Sequence, residues 1–378
     1  MKKYAIIAEY NPFHSGHLYH LNETRKVADR IIVVLSGSFT QRGDAAVENK
    51  YRRAQNAIYS GADIVIELPT LYAISPADKF AYGAIKTLSA LDVDYLSFGS
   101  ESGRLDVLLK AADILENENE DIKRVIRQGL QKGQPLVKAR ADALKTSDID
   151  IDLKPNNTLA IEYIKTLKKF NSSIQPHTIK RIGCDYNDLN LSDSHLSATS
   201  IRNYIFNNNI SLIKDFIPYT VQYNINSRAN LEKLILYRLN MMTKDELRDI
   251  FDVGEGLENR IFNSLKFTDF NVFLYTLKTK RYTMARLKRI LIAALLNITK
   301  EFYLNCLDAP PYVNVLAIRK ERKEILSKIK TRNIYTKPSD IKKLSPEVLP
   351  LVNLDVLSHK LLNIINEDTS NLNSMQII

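Results

Sequence analysis

The sequence predicts an α/β protein with a Rossmann-like parallel sheet, followed by a mainly helical C-terminal domain. Three observations support this fold class. The first hundred residues alternate short apolar runs with helical patterns. Apolar residues make up 45% and charged residues 25%, which is ordinary for a globular chain. The 378 residues are enough for two domains. We therefore expect an α/β domain over residues 1–210 and a basic, mainly helical domain over residues 211–378.

Four apolar runs predict buried strands, at residues 4–8, 31–35, 63–68 and 95–98. Helical patterns separate them, at residues 17–28, 48–60 and 79–91. Strands that alternate with helices need crossover connections, and these produce a parallel sheet covered on both faces. Ligands of such sheets bind outside the carboxyl ends of the strands. The loops after the four strands are therefore the places where we expect functional residues.

The rest of the chain is mostly helical in pattern. Residues 104–145 predict helices, Pro155 is placed to open another, residues 177–182 predict a late strand, and residues 197–202 lead into a short helix. Further helical patterns cover residues 231–239, 244–251, 257–262 and 284–297, and a strand is possible at 312–319. The polar tail after Asp368 is expected to fray.

Positive charge is concentrated in the second half of the chain. The net charge is +10, and residues 211–378 hold 26 basic against 18 acidic side chains. Three stretches are notably basic, residues 123–145, 275–289 and 319–332. A basic half indicates a polyanionic partner, with nucleic acid first. The alternative is that these runs are only solvated helix faces that aid solubility.

Cysteine and hydropathy patterns exclude other classes. Cys184 and Cys306 cannot form a disulfide framework or a cysteine-rich zinc site, and no metal site is expected. The reducing cytoplasm is the natural compartment. The longest apolar run, near residues 290–296, is far shorter than the ~20 residues that span a bilayer. We expect no membrane segment, and nothing indicates a protein partner.

The most informative segment is EYNPFHSGHLYHL, residues 9–21, directly after the first strand. His14 and His17 lie three residues apart at the start of a helix, with Gly16 between them. Free backbone amides, the positive end of the helix dipole and two imidazoles suit a polyphosphate, and glycine allows close approach. The alternative is a pair of surface histidines at a helix cap. The position after a first apolar strand favours phosphate binding.

HSGH resembles the HIGH signature of the nucleotidylyl transferase superfamily. A second signature of that superfamily resembles LSATSIRNYI, which begins at Leu196 and contains Ser200 and Arg202. The resemblance implies adenylation of a carboxylate or phosphate with ATP and release of pyrophosphate. It places the hydroxyls and the arginine against the β- and γ-phosphates. Alone, SATSIR could be an ordinary serine or threonine N-cap; together with HSGH it is specific.

Five segments, AEYNPFHSGHLYHL, SGSFTQRGDAA, GADIVIELP, FGSE and NNTLAIEYI, together resemble the bacterial tRNA(Met) cytidine acetate ligases. The resemblance is specific to about residue 210 and looser beyond. It implies that ATP, with Mg²⁺, activates acetate as acetyl-adenylate. The acetyl group then passes to the wobble cytidine of elongator tRNA(Met), giving N4-acetylcytidine. Elongator tRNA(Met) and acetate are the implied partners.

The resemblance also implies site residues. It makes His14 and His17 the expected catalytic residues. Arg42, in the polar loop after the second strand, is the further catalytic candidate, because the mechanism needs a cation near the carboxylate. The expected ATP-binding residues are Ile7, Ala8, Glu9, Tyr10, Asn11, Pro12, Phe13, His14, Ser15, Gly16, His17, Leu18, Tyr19, His20, Gly99, Asn157, Arg181, Ser200 and Arg202. The basic run supplies the expected tRNA-binding residues Lys278, Lys280, Arg281, Lys288 and Arg289.

Four of these residues also have a purely structural interpretation. Gly99 could end a strand in a turn, Asn157 could cap a helix, Arg181 could be a solvated side chain, and Arg42 could form an exposed ion pair with Asp44. Two functions compete with the ligase. One is a small-molecule adenylyltransferase of the same superfamily, whose members are usually shorter. The other is a catalytically silent RNA-binding protein, which intact HSGH and SATSIR segments disfavour.

Overall fold

The structure, a computed structural model, describes residues 1–181, 196–279 and 282–378. The strands are β1 (Lys3–Ala8), β2 (Arg30–Ser36), β3 (Ile64–Leu68), β4 (Tyr95–Ser100), β5 (Gln175–Lys180), β6 (Val313–Ile318), β7 (Ile334–Tyr335) and β8 (Gln376–Ile377). The helices of the first half are α1 (Ser15–Arg25), α2 (Lys50–Tyr59), α3 (Thr70–Ala73), α4 (Ala77–Ser89), α5 (Leu105–Glu116), α6 (Glu120–Gln131), α7 (Leu136–Lys145), α8 (Pro155–Lys169) and α9 (Ala198–Phe206).

The second half is mainly helical, as the sequence predicts. Its helices are α10 (Ser227–Asn240), α11 (Lys244–Asp249), α12 (Leu257–Ser264), α13 (Phe270–Leu277), α14 (Met284–Leu295), α15 (Lys300–Leu307) and α16 (Leu349–Asn366). Four 3-10 segments are Ile210–Phe216, Lys320–Lys328, Pro338–Lys343 and Pro346–Val348.

The described strands form one sheet in the order β5-β4-β1-β2-β3-β6-β7, with β8 paired to β6. The strands from β5 to β3 are all mutually parallel, so the predicted Rossmann-like fold is confirmed. β1 lies between β2 and β4, where the strand order reverses direction. Open α/β sheets bind ligands at this switch point, beyond the carboxyl ends of the strands. The topology therefore points to the loops after β1 and β4.

The central strands are apolar because both faces of the sheet are covered. β2 reads RIIVVLS and β3 reads IVIEL, and all residues of β3 are buried. Val33 pairs with Val65 and Val34 with Ile66, so β-branched side chains stack across the strands. Continuous apolar runs of this kind are typical of parallel strands between two helical layers.

The second half of the chain also contributes strands to this sheet. β6 pairs antiparallel with β3, with Ile64 opposite Ile318 and Val65 opposite Ala317. The expected strand near residues 312–319 is thus present. The expectation that the tail frays is wrong: β8 pairs with β6, and the amide of Ile378 donates to the carbonyl of Ile318 at 3.0 Å. Backbone pairing to a buried strand holds this terminus in place.

Among the described residues one segment, Pro346–Asn366, is long and apolar enough to cross a membrane by length and composition, and half of its most apolar window is buried inside the protein. It corresponds to α16 with the turn that precedes it. Leu351, Val352 and Leu362 of α16 are buried. Buried side chains of this kind are typical of a core helix. In the sequence, residues 290–296 stand out instead, because they form the longest uninterrupted apolar run.

A buried ion pair of the first half is hydrogen-bonded to the second half. Lys50 of α2 donates to both carboxylate oxygens of Glu67 on β3, each at 2.7 Å. Asn314 of β6 donates to Glu67 at 2.5 Å. The side chains of Lys50 and Glu67 are 3% and 0% exposed. The charge of Glu67 is therefore compensated entirely by protein groups.

We predict that Lys50→Met destabilises the fold strongly. Removal of one partner leaves a buried carboxylate without its counter-charge, which costs ~3–5 kcal/mol of unfolding free energy. Denaturant unfolding measures the loss. Lys110→Met is the matched control, because Lys110 is exposed on α5 and should change stability by only ~0.5 kcal/mol. Equal stability of the two variants would contradict the role of the pair.

Candidate active site

A cavity of about 590 Å³ opens beyond the carboxyl ends of β1 and β4. The two strand ends supply Ile7, Ala8, Phe98 and Gly99 to its wall. The cavity therefore lies at the switch point of the sheet. Of the expected catalytic and ATP-binding residues, it is lined by Ile7, Ala8, Glu9, Tyr10, His14, Gly16, His17, Tyr19, His20, Arg42, Gly99, Arg181 and Arg202.

His14 and His17 cap the start of α1 reciprocally. His14 is the N-cap residue, and its Nδ1 accepts from the amide of Gly16 at 3.1 Å. His17 is the third helical residue, and its Nδ1 accepts from the amide of His14 at 3.3 Å. This is a capping box in which imidazoles replace the usual hydroxyl and carboxyl groups. Because each Nδ1 accepts a hydrogen bond, the proton of each neutral ring is on Nε2.

The electrostatics of the cavity favour neutral histidines. Burial, followed by the neighbouring His14 and Arg181, holds the pKa of His17 well below its usual value. Burial, with Arg181 and His177, lowers the pKa of His20 to about 4. Neutral rings with the proton on Nε2 remain hydrogen-bond donors. Two such donors at a helix N-terminus are suited to the oxygens of a phosphate chain.

We predict that His20 makes the protein less stable in acid. Its pKa is about 4 when folded, against 6.5 when unfolded, so the unfolded chain binds the proton first as the pH falls. The free energy of unfolding should therefore decrease between pH ~6.5 and ~4, by up to ~1.4 kcal/mol per pH unit from this group. Denaturant unfolding of wild type and His20→Gln across this range measures it. If the unfolding free energies of the two proteins had the same slope against pH between ~4 and ~6.5, the effect would be excluded. Above pH ~7.5 the slopes should coincide, because His20 is then neutral in both the folded and the unfolded state.

Helix α9 carries the second predicted motif and is tied to the first. Arg202 donates from Nη1 to the carbonyl oxygen of Asn11 at 2.9 Å and from Nη2 to Thr199 Oγ1 at 3.1 Å. Ser197 caps α9 by accepting from the amide of Ser200 at 3.1 Å. Ser197 and Thr199 line the cavity, whereas Ser200 is buried behind them. Arg202 thus fixes the SATSIR helix against the loop that leads to HSGH, 191 residues away in sequence.

Asn157 is placed behind the cavity wall. Its Oδ1 accepts from the amides of Glu101 at 3.0 Å and Ser102 at 3.2 Å, and its Nδ2 donates to the carbonyl of Asp152 at 2.7 Å. Its neighbour Asn156 lines the cavity. Asn157 therefore shapes the loop after β4. Five other expected residues, Asn11, Pro12, Phe13, Ser15 and Leu18, also belong to the loop and first turn without lining the cavity.

Arg53 holds the loops after β1 and β2 together. It is fully buried, and its guanidinium donates to the carbonyl oxygens of Glu9 at 2.7 Å and Ser36 at 3.0 Å, and also to that of Gly37. Its Nε donates to the carbonyl of Glu48 at 3.1 Å. The sequence does not single out Arg53 as a site residue, because a buried and a solvated arginine look alike in a sequence.

The loop after β2 is clamped between β1 and helix α14. The amide of Gln41 donates to Glu9 at 2.8 Å, and Lys288 forms an ion pair of 2.7 Å with Asp44. Gly43 has φ +75°, and a Cβ there would lie 2.5 Å from the backbone nitrogen of Arg289. Only glycine combines this backbone conformation with so close an approach. Arg42, on this loop, lines the cavity.

The expected tRNA-binding residues have different environments. Lys278 is exposed at the end of α13. Lys280 and Arg281 lie outside the described residues. Lys288 is bonded to Asp44, and Arg289 is only 9% exposed and lines the cavity. Within the described chain, the basic run therefore divides into an outer part before α14 and an inner part that contacts the site.

The cavity is suited to an anionic ligand. Arg42, Arg181, Arg202 and Arg289 line it, and among described residues Glu9 is the one carboxylate in its wall. Burial raises the pKa of Glu9, against the effect of its hydrogen bond from Gln41 and of Arg202. Three histidine, cysteine or carboxylate side chains do not come together as a metal site anywhere in the described residues.

This fold and site define a nucleotidyl transferase of the HIGH type. The sequence model of the HIGH Nucleotidyl Transferase family matches residues 1–376, and the chain belongs to that family. Within it, the chain groups with the tRNA(Met) cytidine acetate ligases. It is 42% identical over 375 residues to the one from Caldicellulosiruptor saccharolyticus, covering 94% of this chain and 92% of that protein. It is 36% identical over 394 residues to the one from Clostridium botulinum (strain Okra), covering 96% and 94%.

Solved structures agree with this assignment. The apo form of Thermotoga maritima TmcAL superposes with a TM-score of 0.87 at 29% identity, and its form bound with alpha-thio ATP with a TM-score of 0.85 at 30% identity. Each alignment covers 100% of both chains. The expected family and fold are confirmed.

Proposed function

We propose that this chain activates acetate with ATP and transfers the acetyl group to the wobble cytidine of elongator tRNA(Met). The observation that carries the proposal is the joining of HSGH and SATSIR around one cavity by the hydrogen bond from Arg202 to Asn11. The relatives named tRNA(Met) cytidine acetate ligase and the ATP-analogue complex of the Thermotoga protein support the same substrates.

The first half-reaction is adenylation. A carboxylate oxygen of acetate attacks the α-phosphorus of ATP, the bond from that phosphorus to the bridging oxygen breaks, and pyrophosphate leaves with the electron pair. His14 and His17 donate from Nε2 to phosphate oxygens at the helix N-terminus. Arg42 and Arg202 reduce the repulsion between the anionic reactants. Catalysis is then mainly positioning and charge stabilisation.

Magnesium fits this site as a companion of ATP. Its hard oxygen ligands in nucleotide sites are usually substrate phosphates with one or two carboxylates, and the described cavity wall offers Glu9. When bound, the ion would add charge neutralisation at the phosphates. The protein groups discussed above hold and orient the nucleotide whether or not Glu9 contributes a ligand.

The second half-reaction transfers the acetyl group. The exocyclic amine of the cytidine attacks the carbonyl carbon of acetyl-adenylate, the bond to the phosphate oxygen breaks, AMP leaves, and the amine loses a proton. An amine conjugated with the pyrimidine ring is a weak nucleophile, which is why an activated acyl group must precede it. The anticodon loop is single-stranded, so its base enters a cavity at low cost. We place the reaction in the cytoplasm.

The test is nucleoside mass analysis of tRNA after incubation with ATP and acetate, together with pyrophosphate release with and without tRNA. We expect acetylcytidine in tRNA(Met), and slow pyrophosphate release with acetate alone. Release without acetate, or with a nucleotide-like acceptor in its place, would favour the small-molecule adenylyltransferase. Binding of tRNA without any release would favour the silent RNA-binding protein. Acetylation by acetyl-coenzyme A without ATP would contradict the adenylate route.

A further inference from the structure

Arg289 is a buried arginine at the cavity with unused hydrogen-bonding capacity. It is 9% exposed, lies on α14 of the second half, and lines the cavity formed mainly by the first half. Its Nη1 donates to the carbonyl oxygen of Gln41 at 3.1 Å. Its Nε is buried and has no hydrogen-bond partner among the described residues. No carboxylate oxygen of the described residues lies within ion-pair distance of the Arg289 guanidinium.

The other buried arginines near the cavity are used differently. Arg53 donates to four backbone carbonyls, and Arg202 donates from both terminal nitrogens. Asp252 and Asp78 favour the charged form of Arg289 from beyond ion-pair contact. A carboxylate in direct contact would offset the burial of the guanidinium further. Nη2 has no partner among the described residues and Nη1 keeps a second N–H, so the end of the guanidinium has the two-pronged geometry that matches a carboxylate. Burial lowers the pKa of this guanidinium, yet it stays charged at neutral pH.

The surroundings of Arg289 suit a small acid. Ala285 lies one turn before Arg289 on α14 and Thr283 caps that helix, and both line the cavity, as do Ala77 and Phe80 of α4. The groups suited to phosphate oxygens, His14 and His17 of HSGH with the SATSIR helix, belong to other elements, α1 and α9. A phosphate of RNA would need a guanidinium at the surface, and this one is buried.

We propose that Arg289 binds the carboxylate of the acid substrate, with the apolar wall beside it receiving the methyl group. This inference rests on the proposed adenylation of acetate. It moves Arg289 from the tRNA surface, where the sequence placed it, into the acid subsite. It also means that the second half of the chain completes the adenylation site, since α14 supplies this residue.

The experiment is acetate-dependent exchange of pyrophosphate into ATP by the full-length protein without tRNA. We expect Arg289→Ala to raise the KM for acetate roughly 10- to 100-fold, the size of a lost charged hydrogen bond, with little change in the KM for ATP. Arg289→Lys should be intermediate, because lysine keeps the charge and loses the fork. Arg286→Ala is the matched control: Arg286 lies on the same helix, is bonded to Asp252, and should change the acetate KM by no more than about twofold.

Three results would overturn the inference: an unchanged acetate KM in Arg289→Ala, an increase confined to the KM for ATP, or loss of tRNA binding with acetate KM preserved. If Arg289→Ala does not fold, the comparison of Arg289→Lys with Arg286→Ala decides, because an unchanged acetate KM in Arg289→Lys contradicts the two-pronged contact. Wild-type protein without any acetate-dependent exchange would instead reject the proposed function.

Discussion

Removal of the imidazoles of HSGH should lower the rate of acetyl-adenylate formation by roughly 10²–10³, the usual cost of losing one donor to developing charge. The informative variants are His14→Asn and His17→Gln. Asparagine is a preferred N-cap residue and glutamine at the third helical position completes a capping box, so both variants keep the start of α1. What they lose is an Nε2–H donor.

The measurement is acetate-dependent pyrophosphate exchange, with circular dichroism and thermal unfolding to confirm that the variants fold. His14→Ala serves as the comparison, because it removes the cap and the donor together and should lose ~1 kcal/mol of stability as well. Exchange near the wild-type rate in both His14→Asn and His17→Gln would remove the histidines from the chemistry and leave them as caps.

Affinity for tRNA should fall steeply with salt. A protein that contacts ~6–10 phosphates loses ~10³–10⁵ in affinity between ~50 and ~200 mM salt, because bound counterions are released on association. We expect the excess positive charge of the second half to supply the contacts. Of the expected tRNA-binding residues, Lys278 is both described and exposed. It is also close to the cavity in sequence, because Thr283, five residues later, lines the cavity.

A matched pair of charge reversals tests where the RNA lies. We expect Lys278→Glu to weaken tRNA binding and to reduce the salt slope by about 1 for each phosphate that the variant no longer neutralises. Lys323→Glu is the control. Lys323 is exposed, but its segment contacts the opposite end of the sheet, where Arg30 of β2 bonds to Glu324. Because the strands are about six residues long, the amino end of the sheet lies ~20 Å from the cavity at the carboxyl end. Equal effects of the two reversals, measured by filter binding, would contradict a tRNA surface beside α14.

Local patterns made most of the fold predictable. Each apolar run of β1 to β4, and the HSGH segment, is a single short stretch of the sequence. Each predicts its own local structure independently of distant residues. Helix α8 begins at Pro155 as its proline indicates, because the missing N–H is tolerated there. These features depend on backbone geometry and on periodicity, which a single sequence displays directly.

Pairings between distant residues were not predictable in the same way. β6 meets β3, and Lys288 meets Asp44 244 residues away, through contacts that no local pattern records. Burial of a cation is equally invisible: Arg289 belongs to a basic run, and only the fold shows that it faces the site. Asn157 matched the family motif, yet its hydrogen bonds support the loop after β4.

The pairing of β3 with β6 has a consequence for synthesis. Ile66 pairs with Val315, which the ribosome adds about 250 residues later, so one edge of β3 has no neighbouring strand until then. At ~5–20 residues per second, a ribosome takes roughly 10–50 s to make the intervening chain. During that interval the nascent chain carries a mostly apolar strand, with Glu67 as its one charged residue, whose edge is open to pairing with other polypeptides. Recombinant production of residues 1–210 alone should therefore yield aggregates, and chaperone supply should influence how much of the full-length protein reaches the native state.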